Sequence, residues 1–486
     1  MAPMDLFNKH RTRSIEPVRY HSSSSKLYNN DWFNLQNEVL VKPFDSHQDN
    51  SSSSSSSSLS SSSNKISLEW LPVEIIHRIL TYCNSQTLLA LSGTCSRLYS
   101  LVNDDYVWRL KAQHALATNC QSNKFSSKSI VDLTNLNKCA IESRWKKGIF
   151  QETILIQNKK PLIPCLSIDS NNLWLTRGNT LCKFQRFKDG RIKTKPTMKL
   201  KCHQEDILKF KVTNNFIATG SLDGTLAVWN KHSGSLLSTR YKAHASVINS
   251  IDCLHSKFLI TGSKDLHAKI WKLNYEGFEG DQNSIGTDDD DDPNNSHGYS
   301  CSLLFSQSIF IGDRVLSVSC SEDRGWAAIG SAGCTTKRPI WLYDLMDNRL
   351  ICSLNDEHRH GAGVLGIQWE DYNTLLSCGY DTLIRLWDLR CPGGKCSLKW
   401  EDPHDSAIYC LATDHWVTML SGTCRYGVVR LWDKRKAKQC VQMYYGRCEN
   451  SPVYSLDFDP CYLYIALDKS INVMNFRSGS QSIVRH

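Results

Sequence analysis

A chain of 486 residues, 41% of them hydrophobic, is long enough for more than one domain and apolar enough to fill their cores. Its formal charge of +9 is spread thinly, with no lysine and arginine cluster dense enough to follow a phosphate backbone, so charge does not call for nucleic acid. None of the 20 cysteines forms a CxxC pair, no apolar run follows the first Met, and no window of about 18 uncharged apolar residues would cross a membrane, so reduced, buried thiols in a cytoplasmic or nuclear protein are expected.

Residues 1–66 are polar and end in the serine run Ser51 to Ser63, broken by Leu59. Such a stretch has nothing to offset the entropy of ordering it and is predicted to be a disordered tail. Its patch Lys9, His10, Arg11 and Arg13 reads as a solvated face in preference to an import signal.

Composition changes abruptly at Ile66, and residues 67–112 carry short helical patterns. Pro72 suits a first helical turn, with Ile76, Ile79, Leu80 and Cys83 following at helical spacing. Ser85 is positioned to cap a second helix bearing Leu88, Leu89 and Leu91, and Gly93 ends it. A third carries Cys95, Leu98, Tyr99 and Val102, and Asp104 or Asp105 caps a fourth with Trp108. So small a unit has more apolar residues than it can bury alone, which points to a docking surface. The order Leu71, Pro72, Glu74, Ile75, Ile76, then Ile79, Leu80, Leu88, Leu91, Cys95, Leu98 and a closing Val107, Trp108, Arg109 resembles the F-box. Cys83 where Leu is common, and Ser96-Arg97 after Cys95, depart from the pattern without removing the apolar helix face. The resemblance implies binding to the Skp-type adaptor of a cullin RING ubiquitin ligase, through a face drawn from Leu71, Pro72, Ile75, Ile76, Ile79, Leu80, Leu88, Leu91 and Trp108. A small helical cap on the next domain is the plainer alternative.

Residues 113–149 form a linker whose end, LNKCAIESRWKKGIF, reads as a helix with Ile141 and Trp145 four apart, stiff enough to set the angle between the flanking domains. Gln151 to Gln157 reads as a strand standing ahead of the repeats that follow, and is predicted to complete the last of them and close a ring.

Residues 150–486 are organised by a repeated unit, clearest in LLSCGYDTLIRLWDLR at 375–390: strand, tight turn with an Asp, and a strand ending in Trp-Asp. The Trp position recurs at Phe184, Trp229, Trp271, Tyr343, Trp387, Trp432 and Met474, at separations of 45, 42, 72, 44, 45 and 42 residues. A period in the low forties marks four-stranded propeller blades, so the fold class is mainly β, a seven-bladed β-propeller behind a small helical domain and a disordered tail. The long interval holds an acidic segment, residues 275–300, predicted to be a disordered loop between the third and fourth blades; without its 26 residues the interval falls to 46.

Ser, His and Asp recur with the Trp: His203, Ser221, Asp223, Trp229 and His244, Ser263, Asp265, Trp271, with Asp381, Trp387, His404 and Trp432 in later copies. A catalytic triad needs one such set, and here several copies carry one. In WD-repeat proteins, which these repeats resemble, the four residues form a buried network that holds the blade's turns, and Tyr426 in place of Asp in the sixth copy fits that role. No phosphate-binding glycine loop, paired-carboxylate motif or nucleophile elbow is present, so no catalytic residue is expected. His358 and His360 with scattered cysteines supply no metal-ligand spacing, so neither metal nor cofactor is expected.

The residue before the turn Asp, and the one five after the His, reach the narrower face of a propeller. The first set is Leu222, Lys264, Tyr380 and Arg425; the second is Leu208, Asn249, Leu316, Leu365, Tyr409 and Tyr454. From these, Lys264, Leu316, Leu365, Tyr380, Tyr409, Arg425 and Tyr454 are predicted to hold a target, since rigid aromatics supply contact area at small entropic cost. Plugging of the channel by Tyr409 and Tyr454 is the plainer alternative.

An F-box followed by seven such copies, with GAGVLGIQWEDYNTLLSCGYDTLIRLWDLR at 361–390, EDPHDSAIYCLATD at 401–414 and YGVVRLWDKR at 426–435, is similar to the F-box/WD-repeat proteins. The resemblance implies a non-catalytic receptor subunit of a ubiquitin ligase, holding an unidentified target protein without nucleic acid or membrane; a scaffold that degrades nothing is the competing reading. Receptors of this family that read phosphorylated degrons place several arginines on the narrow face. Only Arg425 stands there here, with Lys264, so an unphosphorylated or singly charged ligand is expected.

Overall fold

The computed structural model describes residues 71–276, 300–354, 358–391, 394–436, 439–446 and 450–477, so the disorder expected of the tail and of most of the acidic insert falls outside the described residues. Seven antiparallel sheets of four strands form a seven-bladed propeller: residues 166–201, 207–240, 248–310, 315–353, 364–401, 408–445 and 455–475, the last completed by Gln151–Gln157. The first strands of successive blades follow one another around the channel, and each sheet runs outward from there. The Trp-position residues lie on the third strand of every blade in one register, Trp229 opposite Ile217, Trp271 opposite Leu259 and Trp387 opposite Leu375.

The expected closure is present: Gln151–Gln157 pairs antiparallel with Ser470–Asn475, from Gln151↔Asn475 to Gln157↔Ser470. The fourth strand of blade 7 thus comes from the opposite end of the repeat region, and the ring offers no open blade.

The insert is placed differently from expectation. Its flanks, His267–Glu276 and Ser300–Phe310, are the third and fourth strands of blade 3 and pair from His267↔Phe310 to Glu276↔Ser300. The added residues therefore extend a hairpin within blade 3 instead of separating blades 3 and 4. Counting from one third strand to the next shows that a turn has lengthened, but not which one.

A stitch between blades carried no sequence signal. Ser250 Oγ and Asp252 Oδ2 on the first strand of blade 3 accept the backbone N–H of Val318 (2.9 Å) and Cys320 (2.8 Å) of blade 4. Across the closing seam, Ser455 Oγ and Asp457 Oδ2 of blade 7 accept from Leu166 (3.2 Å) and Ile168 (3.0 Å) of blade 1. Backbone donors at the inner edge, which no strand pairing reaches, are satisfied this way.

Ahead of the ring stand α1 (Val73–Tyr82), α2 (Ser85–Ser92), α3 (Ser96–Val102) and α4 (Asp105–Ala112). Pro72 is the residue before α1 and its carbonyl accepts from Ile75 and Ile76, both at 3.1 Å. Asn84, not Ser85, caps α2, accepting from Thr87 N at 2.8 Å, and Asp104 caps α4, accepting from Tyr106 N at 2.8 Å. Two linker helices follow, α5 (Asn123–Ser126) and α6 (Asn135–Lys147), and Gly148 ends α6 in the left-handed conformation at φ 66°.

The linker is part of the ring's own core. Trp145 of α6 is fully buried, stacks on Phe476 of blade 7 with centroids 3.7 Å apart, meets Tyr444 of blade 6 edge-on, and donates its indole N–H to Pro460 O at 3.0 Å. Tyr444 Oη donates to Trp145 O at 2.7 Å, Arg144 Nη1 to Phe476 O at 3.0 Å, and Ala117 N to Thr418 Oγ1 at 2.8 Å. Ala117, Phe125, Ile141 and Trp145 share one apolar cluster with blades 1, 6 and 7.

Replacing Trp145 by Ala opens a cavity at this junction and is expected to cost about 3–5 kcal/mol, read as a lowered urea midpoint with unchanged m-value, whereas Trp145→Phe keeps the stack and most of the stability. Equal midpoints for wild type and Trp145→Ala would disprove the junction's importance.

Candidate functional site

On the helices, the nine expected adaptor residues divide by burial. Ile76, Leu80, Leu88 and Trp108 are interior, and Trp108 Nε1 donates to Val102 O at 2.7 Å, tying α4 to the end of α3. These four hold the helices together and have no surface to offer a partner. Leu71 and Leu91 are half-buried, while Pro72, Ile75 and Ile79 face solvent. Tyr82, 82% exposed, continues the same stripe, since 75, 79 and 82 follow i, i+4, i+7 spacing on α1. Sequence matching missed Tyr82 because the helical period places it on the ridge while the motif says nothing of it.

In the ring, the expected Ser-based network forms with a different hydroxyl. His244 Nε2 lies 2.7 Å from Thr261 Oγ1 and its Nδ1 2.9 Å from Asp265 Oδ2; Trp271 donates to the same Thr261 Oγ1 at 2.9 Å. Blade 2 repeats only the hydroxyl part, with Thr219 Oγ1 2.7 Å from His203 Nε2 and 3.1 Å from Trp229 Nε1; His203 Nδ1 has no hydrogen-bond partner among the described residues, and Asp223 accepts instead from Gln204 N at 3.2 Å. Ser221 and Ser263 instead bind the turn, donating to Glu205 O (3.1 Å) and Ser246 O (3.3 Å). The shared hydroxyl stands ten residues before the Trp, a spacing visible in the sequence and also met by Ser377, which accepts from Trp387 at 2.8 Å.

Blades 5 and 6 use ion pairs in addition. Asp381 is buried against Arg385, and Asp402 against Arg430 at 2.6 Å. His404, expected inside, is exposed; the buried carboxylate is Asp402, whose pairing with Arg430 leaves His404 at the rim, where its Nδ1 accepts from Arg430 Nη2 at 3.1 Å. Trp432 finds its acceptor in Ser421 at 2.8 Å.

Three of the expected target-binding residues, Leu316, Leu365 and Tyr409, stand at a repeated backbone irregularity, while Lys264, Tyr380 and Arg425 come from turns and Tyr454 from the approach to the first strand of blade 7. In blades 2 to 6 the register between first and second strands shifts, and the residue skipped is Leu208, Asn249, Leu316, Leu365 and Tyr409 in turn. A bulge of this kind re-aims one side chain away from its sheet. Asn249 spends its amide on Val315 O at 2.8 Å. Gly363 leaves room for Leu316, whose Cδ1 would stand 2.7 Å from a Cβ at that position. Tyr380, Tyr409 and Tyr454, from blades 5, 6 and 7, form a ladder with ring centroids 6.1 and 6.3 Å apart. All three are half-buried, and burial raises each phenol, Tyr409 to about 12, so they are neutral donors at physiological pH. Among the described residues their hydroxyls make no hydrogen bond, and the Arg425 side chain is exposed without an ion pair. Lys264 is half-buried in the blade 3 turn; Arg314, which sequence reasoning passed over, stands near Tyr380.

The linker binds the other end. Tyr454 precedes the first strand of blade 7, Ser455–Phe458, while Pro460, which receives Trp145, follows it. At about 3.3 Å per residue the two positions lie roughly 20 Å apart along the strand.

The F-box-like family model matches residues 68–113, and the WD domain, G-beta repeat model matches 194–230, 234–272 and 350–388. Each WD match runs from the fourth strand of one blade, or just outside it, through the third strand of the next. The F-box/WD repeat-containing protein 4 of Mus musculus is 30% identical over 411 residues, covering 84% of this chain and 93% of that protein. Its Homo sapiens counterpart is 29% identical over 84% of this chain and 92% of its own length. Among solved structures, one titled Structure of U3-55K superposes with a TM-score of 0.51 at 12% identity, covering 67% of this chain and 98% of that one, a likeness of fold alone.

Burial lowers His244 from its ordinary value to about 4. The unfolded chain therefore binds a proton below about pH 6.5 that the folded blade refuses until about 4, and stability falls as pH drops through that window. Between pH 7.5 and 5 this histidine is expected to account for about 2 kcal/mol of lost unfolding free energy. Urea titrations of His244→Gln should show a correspondingly flatter loss, and an equal loss in both proteins would rule the effect out.

Proposed function

Because the chain belongs to the F-box/WD repeat protein family, we propose that it is the target-binding receptor of a Skp–cullin–F-box ubiquitin ligase. The helices seat the adaptor through Pro72, Ile75, Ile79 and Tyr82, and the tyrosine face of the ring holds the target. The receptor adds no catalytic group of its own; it raises the concentration of the target near the charged conjugating enzyme, and proximity supplies the rate.

The observation that carries this reading is the rigid seating of α6 in blades 6 and 7, with an exposed apolar ridge on one side and an aromatic face at the far end of the ring. An apolar ridge on a helix is the usual way a helix presents itself to a groove. A fixed distance between the two ends is what transfer to a held target requires.

Ile75 and Ile79 face solvent, so changing both to Asp is expected to leave the melting temperature in place and weaken adaptor binding at least tenfold, about 1.4 kcal/mol. Ile76→Asp, in contrast, should unfold the helices. Undiminished adaptor affinity in the double variant, measured by calorimetry, would sink the assignment. In cells the double variant should raise the level of a degraded target, and unchanged target levels despite lost adaptor binding would favour a scaffold.

A further inference from the structure

The innermost strands of the ring carry four charged side chains among the described residues: Lys209, Lys211, Asp252 and Asp457. Lys211 pairs with Asp252 at 2.6 Å, and Asp457 with Lys128 at 2.7 Å. Lys209 has no ion-pair or hydrogen-bond partner for its ammonium among the described residues, although it is half-buried. Its register fixes its depth: Lys209 pairs with Gly220 directly below the bulge at Leu208, as Cys410 pairs with Gly422 below Tyr409. The lysine thus stands one step beneath the tyrosine ladder, in the wall of the channel mouth.

Among the described residues no carboxylate stands within ion-pair distance of its ammonium. Of the thiols whose charge it would feel, Cys378 is buried and Cys410 half-buried, and burial raises both, Cys410 to about 12, so both are neutral. Above it are three phenols without hydrogen-bond partners among the described residues, and at the rim Arg425 and Arg314, neither in an ion pair among the described residues, with Arg314 Nη2 donating to Cys334 Sγ at 3.4 Å. Leu316 and Leu365 contribute apolar wall. A half-buried ammonium without an ion pair, one register step below a set of neutral phenols, is arranged for an anion. At the depth of Lys209 there is one ammonium, which matches a single carboxylate, and that carboxylate can also accept from a phenol.

We propose that the channel mouth binds a single carboxylate of an otherwise apolar or aromatic peptide segment, with Lys209 as its counter-ion and Tyr380, Tyr409 and Tyr454 packing the residues behind it. The inference rests on the target-receptor reading and names the chemistry of the segment that the ring selects. The carboxylate comes from a chain terminus or from an Asp or Glu side chain, and these sources separate in one experiment.

The purified full chain, in complex with its adaptor, is offered three pools of random octapeptides: lacking Asp and Glu with a free C-terminal acid; the same with an amidated end; and amidated with one internal Glu. Retention of the free-acid pool, the internal-Glu pool or both at least tenfold above the neutral amidated pool is expected, and which is retained identifies the source. Lys209→Met should erase that preference without moving the melting temperature, since the ammonium holds nothing in place. Tyr409→Ala should reduce retention of all pools. If wild-type protein retains the neutral pool as strongly as the acidic ones, or K209M keeps the preference, the carboxylate inference is overturned while the receptor reading stands. If no pool is retained above bare resin, or Tyr409→Ala changes nothing, the inference falls together with the choice of this face.

Discussion

Trp145 is the contact on which the arrangement of this protein depends. Two domains joined by a flexible segment would sample many separations, and a linker lying on a surface would be held by little. Here the indole enters the seam of the ring, stacks on Phe476 from the last blade, meets Tyr444 from the sixth, and has its one polar atom satisfied by Pro460. Burying a large aromatic with its N–H paired is among the most stabilising local arrangements a protein has. Because Phe476 lies just past Ser470–Asn475, which pairs with Gln151–Gln157, the same few residues close the ring and fix the helices to it. The seam that closes the propeller is therefore also the seam that seats the linker helix.

The blades hold their turns by two chemistries. Blades 2 and 3 use a neutral relay in which one threonine hydroxyl serves both a histidine and a tryptophan. Blades 5 and 6 keep the tryptophan on a serine and add a buried arginine–aspartate pair beside it. A buried ion pair is costly to desolvate, so it adds little net stability, while removing one partner leaves a buried charge unmet. Blades 5, 6 and 7 are also the ones that bear the tyrosine ladder. The side of the ring that presents the aromatic face therefore includes the two blades whose inner geometry is set by charge.

Bulges turn a repeating structural unit into a binding face. A regular first strand would send its side chains alternately toward the two neighbouring blades. One skipped residue near the start of that strand, repeated from blade to blade, frees a side chain that the ladder does not need for packing. Its identity varies from leucine to asparagine to tyrosine without cost to the fold. Just past the bulge at Leu208, Lys209 returns to the ladder opposite Gly220, and among the described residues it has no ion pair while the other charged residues of the inner wall do.

Number and kind of elements were legible in the chain itself: the Trp-position period yields seven blades, Gln151 to Gln157 reads as the closing strand, and the F-box order and its helical spacing stand out. Those features are local or periodic, so hydrophobic pattern and turn chemistry suffice to expose them. The ten-residue interval from hydroxyl to tryptophan was also present, but the serine nearer the Asp drew attention from Thr219 and Thr261. Other features were decided only by tertiary structure. Ile76 and Ile75 are adjacent and alike, yet one is interior and the other exposed, because the partner helices cover one side of α1 alone. The position of the acidic insert inside a blade 3 hairpin depends on strand pairing, His404 was displaced by a distant Arg430, and Trp145 meets residues some 300 positions away. Long-range packing of this sort leaves no periodic trace, since either residue alone is an ordinary apolar or charged side chain until the ring closes around it.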